Sequence, residues 1–198
     1  MLKKKLKSIF VLICAIIITE KSFSIEPNIF VQSTVNRASQ ILSEDTSKNE
    51  KIDKLKVIAK ETVDIRGIGF YTLGKYRKTL NDIQKDKYSE LFYEYFLKSF
   101  SSRLSEYSNP KIEVQDKNVL NKNYTIVKSV LIATSDRPEI KIDWRVYTKN
   151  PDNPLIRDLI IEGLSLARTQ KEEFASILNS NDNDINALFK TLEEFSKN

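Results

Sequence analysis

Between Ile140 and Tyr147 the chain alternates strictly. Ile140, Ile142, Trp144 and Val146 are apolar, while Lys141, Asp143, Arg145 and Tyr147 carry polar groups. Successive side chains of a strand point to opposite faces, so this pattern demands a sheet covered on one side and wet on the other. Three more runs rich in Ile, Val, Leu, Tyr and Thr occur at 111–115, 123–134 and 155–162. Turn-forming residues divide them: Asp116-Lys117-Asn118, Ser135-Asp136-Arg137-Pro138 and Asn150-Pro151-Asp152-Asn153-Pro154. The expectation is about four antiparallel strands, following one another as a meander.

The flanks have the period of helices. After Pro27, Val31, Val35, Ala38 and Ile41/Leu42 recur at helical spacing. Ser47 with Glu50 three residues later predicts a capping box, opening a helix whose apolar face is Ile52, Leu55, Ala59 and Val63. From Asn81 to Tyr107, Tyr88, Leu91, Phe92, Tyr95, Phe96, Phe100, Leu104 and Tyr107 form a strong apolar stripe. A straight helix over that span would reach ~40 Å, so a kink or break is expected. The same stripe serves an ordinary core or the wall of a pocket, and the sequence alone does not separate the two. Thr169 with Glu172 predicts the cap of a helix carrying Phe174, Ile177 and Leu178, and Ile185, Leu188, Leu192 and Phe195 predict a last one. Helices, then a meander, then helices is an α+β arrangement.

Segment 64–80 reads differently. Gly67, Gly69 and Gly74 sit there among Ile65, Ile68, Phe70, Tyr71, Leu73 and Tyr76. They are expected to mark helix ends or close backbone approach. Gly67-Ile68-Gly69 is no nucleotide fingerprint, because no strand precedes it and no third glycine follows at the required place.

Residues 1–24 have the layout of a cleavable secretory signal. Lys3, Lys4, Lys5 and Lys7 precede the apolar run 9–18, which is too short to span a bilayer, and Ser22-Phe23-Ser24 offers small residues for cleavage. The only cysteine, Cys14, lies inside the run after Ile13, which does not suit lipidation. The net charge of the whole chain is +5; residues 1–24 hold five of its basic residues and one acid, so 25–198 carries +1. A nearly neutral domain does not have the electrostatic footprint of a nucleic-acid binder.

Residues 25–198 are therefore expected to form one domain, without a disulfide. The chain has no histidine, which excludes Ser-His-Asp and Cys-His catalysis and the common zinc sites. Asp143, Asp158 and Glu162 are expected to make strand-end hydrogen bonds or to pair with Arg145, Arg157 or Arg77. Ser165 lacks the G-x-S-x-G setting of a nucleophile and is expected to cap or bond backbone where a strand ends.

Two stretches resemble a known family. The first is Val63-Asp64, Leu73-Gly74-Lys75-Tyr76-Arg77, Gln84, Tyr88, Phe92, Tyr95, Leu104 and Tyr107. The second is Ile142-Asp143-Trp144-Arg145-Val146, then Arg157 to Leu166 (RDLIIEGLSL), followed by Phe174 and Ile177-Leu178. Together they resemble MlaC, the periplasmic member of the toluene-tolerance, phospholipid-trafficking family of Gram-negative bacteria. The likeness runs from about residue 60 to the C-terminus. It implies a twisted antiparallel sheet and surrounding helices enclosing a deep apolar pocket, with acyl chains buried and the head group facing solvent. It also implies a monomeric carrier with neither catalytic residues nor a cofactor. Such a carrier passes phospholipid between an inner-membrane MCE-protein/ABC transporter complex and an outer-membrane lipoprotein complex, and so maintains outer-membrane lipid asymmetry.

The side chains fit to line that pocket are Ile68, Leu73, Tyr76, Phe92, Phe96 and Phe100 from the helices. From the strands they are Val130, Ile132, Ile142, Trp144, Leu159 and Ile161. Two rival readings share the scaffold: an envelope interaction module with a filled core, and a carboxylate hydrolase built on Asp143 and Asp158.

Overall fold

The computed structural model describes residues 24–197, and the expected signal segment, up to Phe23, falls outside them. The order is α1 (Pro27–Ser43), α2 (Lys48–Thr62), α3 (Ile65–Thr72), a 3₁₀ turn (Gly74–Lys78) and α4 (Asp82–Leu104). Then come β1 (Ile112–Asn121), β2 (Tyr124–Leu131), β3 (Ile140–Tyr147), β4 (Leu155–Ile161), β5 (Leu164–Ser165), α5 (Leu166–Asn179) and α6 (Ile185–Lys197). The five strands form one antiparallel sheet in the order β1-β2-β3-β4-β5. The α+β meander is as expected, with one short strand more.

Local chemistry explains most boundaries. Pro27 stands in the first turn of α1, and the Ser47–Glu50 capping box opens α2. Asn81 and Gln84 make a second capping box at the start of α4. That helix runs unbroken for 23 residues, so the expected kink is absent. It is anchored along its length by α2, α3 and α6, which lets a long helix fit in a small domain. Asp116-Lys117-Asn118 does not turn the chain. The irregularity is taken up as a shift of register between Val114 and Lys117, and β1 continues to a turn at Lys122-Asn123. An edge strand tolerates such a bulge because one of its sides has no ladder to keep. The cap of α5 is Ser165, not Thr169: its hydroxyl accepts the Arg168 amide at 3.1 Å.

β3 alternates as its sequence requires. Ile142, Trp144 and Val146 are buried, facing the helices with Val127 and Leu131 of β2, while Lys141 is exposed and Asp143 and Arg145 half-buried. Trp144 Nε1 donates to Ser129 Oγ at 2.8 Å, and that hydroxyl donates to the Ile142 carbonyl at 3.0 Å. The buried indole is thereby satisfied and its ring fixed in orientation.

One junction ties helices to sheet. Val63 bridges Ile156 in parallel, and the Asp64 amide donates to the Ile156 carbonyl at 2.9 Å, covering part of the free edge of β4. The Asp64 carboxylate accepts the Gly67 amide at 2.8 Å, capping α3, and pairs with Arg157 at 2.6 Å. Arg157 also donates to Tyr124 Oη at 2.7 Å and lies 3.8 Å from the centre of the Tyr147 ring. Burial by itself would lower the pKa of this guanidinium; Asp64 and Tyr124 outweigh it and the net direction is upward.

Asp64→Ala removes the cap and leaves Arg157 partly buried without its carboxylate. The expected loss is about 2–3 kcal/mol in urea unfolding. Asp64→Asn, which keeps a cap acceptor, should lose less. Equal losses for the two variants would mean that the charge contributes nothing.

Candidate functional site

The sheet and α4 do not close on each other. Between them lies a cavity of about 190 Å³, walled by Phe92, Phe96 and Phe100 of α4, Trp144 of β3, Ile156 and Leu159 of β4, and Ile68 of α3. Val63 and Tyr95 add to the wall, and Leu166 and Ala167 close it at the start of α5. A polar fringe follows where α4 and α5 run past one another: Ser99 and Arg103 from α4, Thr169, Gln170 and Glu173 from α5.

The aromatic wall is tightly ordered on one side. Phe92 is 2% exposed and ringed by Tyr88, Tyr95, Phe96 and Phe174 at centroid distances of 5.7–6.2 Å. Phe96 stacks on Phe100 at 5.4 Å, nearly parallel. The Phe92 ring also lies directly on the backbone of α3. A Cβ added at Gly69 would come within 2.8 Å of its Cδ1, so glycine is required there for helix and ring to meet. Tyr88 locks the same contact from behind: its hydroxyl is 2.8 Å from Thr72 Oγ1 and donates to the Gly69 carbonyl at 3.2 Å. Burial pushes its ionisation far above the usual phenol range, so it remains a donor.

The seam between α4 and α5 is held by Tyr95. Its hydroxyl donates to Gln170 Oε1 at 2.7 Å, and its ring meets Phe174 at 5.9 Å and Phe195 at 4.8 Å. Burial first, and the Glu173 carboxylate second, raise the pKa of this phenol and keep it protonated.

The start of α5 depends on Asp158. Glu162 and Gly163 take left-handed backbone conformations, φ 48° and 84°, and reverse the chain from β4 into β5. Asp158 Oδ2 then accepts the Ser165 hydroxyl at 2.6 Å, and Oδ1 accepts the Ala167 amide at 3.0 Å. This carboxylate is 5% exposed and committed to the helix N-terminus.

A second cavity, about 480 Å³, adjoins the first and shares Ile68, Asp158 and Ala167 with it. The rest of its lining is Gly67, Tyr71, Arg77, Leu120, Asn121, Tyr124, Arg145 and Arg157.

The family model described as MlaC protein matches residues 32–194. The chain belongs to the MlaC family. Among solved structures, it is similar to a phospholipid-binding protein from Ralstonia solanacearum determined in complex with a phospholipid. The TM-score is 0.72 at 16% identity, covering 87% of this chain and 98% of that one, which establishes a common fold.

In this MlaC-family chain the first cavity gathers six of the twelve side chains that the sequence singled out: Ile68, Phe92, Phe96, Phe100, Trp144 and Leu159. The other six lie elsewhere. Leu73 and Ile142 are packed in the core outside the lining. Tyr76 places its hydroxyl 2.7 and 2.6 Å from Asn179 Oδ1 and Asn183 Oδ1, linking the 3₁₀ turn to the end of α5. Val130 pairs with Lys141 on the sheet face opposite Trp144, Ile132 lies past the end of β2, and Ile161 is half-buried at the β4–β5 turn. Sequence reasoning passed over Val63, Tyr95, Ile156, Leu166 and Ala167. Tyr95 was legible in the aromatic stripe. The last two were hidden because the cap of α5 was placed at Thr169.

Phe92→Ala removes a fully packed ring and should cost about 3–5 kcal/mol in urea unfolding. Phe96→Ala removes a half-buried ring facing open space and should cost about 1–2 kcal/mol. Equal costs would mean that Phe96 faces packed protein and not a cavity.

Proposed function

We propose that this protein binds a phospholipid, with acyl chains held between α4, α5 and the sheet, and carries it through the periplasm. The observation that carries the reading is an apolar cavity at the centre of the domain. Protein interiors are close-packed, so an aromatic-lined space at the heart of a small domain calls for an occupant. Family membership and the phospholipid held by the similar Ralstonia protein supply its class. In this reading residues 1–24 are a cleaved export signal and 25–198 the carrier. It receives lipid from, and delivers it to, an inner-membrane MCE-protein/ABC transporter complex and an outer-membrane lipoprotein complex, and it maintains outer-membrane asymmetry.

Energetics favour a carrier of this kind. A two-chain lipid with roughly 30 methylenes represents ~24 kcal/mol of hydrophobic burial, which water alone cannot accept at a useful rate. The cavity must approach the bilayer in apolarity without exceeding it. A dry cavity of about 150 Å³ takes a benzene-sized molecule. The 190 Å³ space must therefore widen to take two chains. The α4–α5 seam is where it yields. α4 is fixed by α2, α3 and α6, α5 by α3, α6 and β4, and Tyr95 links the two through Gln170 and Phe174.

A hydrolase would need two acids facing one cleft. Asp158 is committed to the Ala167 amide and the Ser165 hydroxyl, and Asp143 projects from the sheet face opposite Trp144. The reading is therefore of a binding protein, not an enzyme.

Trp144 is the only tryptophan in the chain and lines the cavity, so it reports on the cargo directly. Protein purified from the periplasm without detergent should carry a single phospholipid by native mass spectrometry. Exchange into a phospholipid brominated on its acyl chains should quench most of the Trp144 emission. A bare protein mass with no quenching after incubation with brominated vesicles would sink the carrier reading and favour an envelope interaction module.

A further inference from the structure

The second cavity is chemically unlike the first. Three guanidinium groups border it: Arg145 from the wet face of β3, Arg157 from β4, and Arg77, exposed on the 3₁₀ turn. The carboxylates close by are already engaged. Asp64 is taken by Arg157 and the α3 amide, and Asp158 by the start of α5. Arg157 is thus balanced within the protein. Arg77 and Arg145 enter no ion pair among the described residues, and Arg145 Nε is buried without a hydrogen-bond partner. A buried donor left without an acceptor is costly, and is rarely found in a native fold unless something meets it. The polar fringe at the α4–α5 seam carries both signs, Arg103 and Glu173, and has no buried donor left without a partner.

We propose that this cleft is a phosphate site, in which Arg145, with Arg77 at the rim, binds the phosphodiester of the lipid whose chains fill the first cavity. The inference rests on the lipid-carrier reading and adds to it the determinant of head-group class. A guanidinium presents paired donors that match two phosphate oxygens at once, and Arg157, held rigid by Asp64 and Tyr124, contributes positive potential at the back of the cleft. The shared border of Ile68, Asp158 and Ala167 puts the two cavities side by side, so one molecule can present phosphate to one and hydrocarbon to the other.

The test is competitive loading of the lipid-stripped protein from vesicles of dioleoyl phosphatidylethanolamine and dioleoyl phosphatidylglycerol containing dioleoylglycerol. The last has the same chains and no phosphate. Wild type should extract phospholipid in preference to dioleoylglycerol. Arg145→Gln should lower that preference about tenfold, the equivalent of one charge-assisted contact. Its uptake of dioleoylglycerol should not change, Arg145→Lys should recover part of the loss, and Arg77→Gln should show a smaller one. Arg37→Gln, on α1 and outside both linings, should have no effect. Full preference in the Arg77→Gln/Arg145→Gln double variant, with unchanged circular dichroism, would overturn the proposal while leaving the carrier reading intact. So would a loss of preference after Arg103→Gln as large as that after Arg145→Gln, which would put the phosphate at the α4–α5 seam. Titration with inorganic phosphate separates the sources. Phosphate binding that needs Arg145, in a protein that takes up no lipid, keeps the phosphate site and overturns the carrier reading; binding of neither overturns both.

Discussion

The Asp64–Arg157 pair joins the two halves of the molecule, and both cavities depend on it. One carboxylate caps α3 through the Gly67 amide and neutralises an arginine from the sheet, while its own backbone amide bonds to β4. Both side chains are mostly shielded from water, 18% and 28% exposed, so their attraction is screened less than that of a surface pair. Desolvation works against such a pair unless further hydrogen bonds satisfy it. Here Tyr124 and the face of Tyr147 complete the environment of the guanidinium, and the α3 amide completes that of the carboxylate. With α3 docked in this way, Ile68 reaches the apolar cavity and Gly69 meets Phe92.

The cavity follows from what α4 is attached to. Its chief partners are other helices, and Phe92, Phe96 and Phe100 line one side of the cavity while the indole of Trp144 lines another. A helix laid directly on a sheet would have buried this stripe as ordinary core. The tie on the other flank is softer. α5 begins where the β4–β5 reversal and Asp158 set it, but it meets α4 through a phenol-to-amide hydrogen bond and a few aromatic edges. The two walls are thus joined to each other by fewer ties than each makes with its other neighbours.

Much of this was legible in the sequence, for definable reasons. The alternation of β3 and the period of α4 are signals set by burial, and burial is what a sheet face and a helix face answer to. The capping box at Ser47 is local chemistry and formed where the residues stand. The misplacements came where local chemistry had two outlets. Asp116-Lys117-Asn118 has the composition of a turn, yet became an irregularity within a longer edge strand. Thr169 and Glu172 could cap a helix, but Asp158, seven residues upstream of Ser165, drew the helix start back to Ser165. Of the side chains chosen for the cavity, the phenylalanines of α4 gathered there with Ile68, Trp144 and Leu159, while Ile142, on the Trp144 face, packs into the core beside it. Val130 did not gather there, because its strand parity places it on the other face. The second cavity left no mark in sequence at all, since Arg77, Arg145 and Arg157 are brought together only by the docking of α3 on β4.

Separating hydrocarbon from charge also bears on how a carrier lets go. Chain burial scales with area and is nearly indifferent to lipid class, so a cavity alone would hold any two-chain molecule about as firmly as a bilayer does. Selectivity has to come from a polar contact, and that contact must be weak enough to exchange. A guanidinium at a partly open cleft meets this condition. Its attraction for phosphate falls with salt and with any competing anion that approaches, whereas the apolar term is untouched by either.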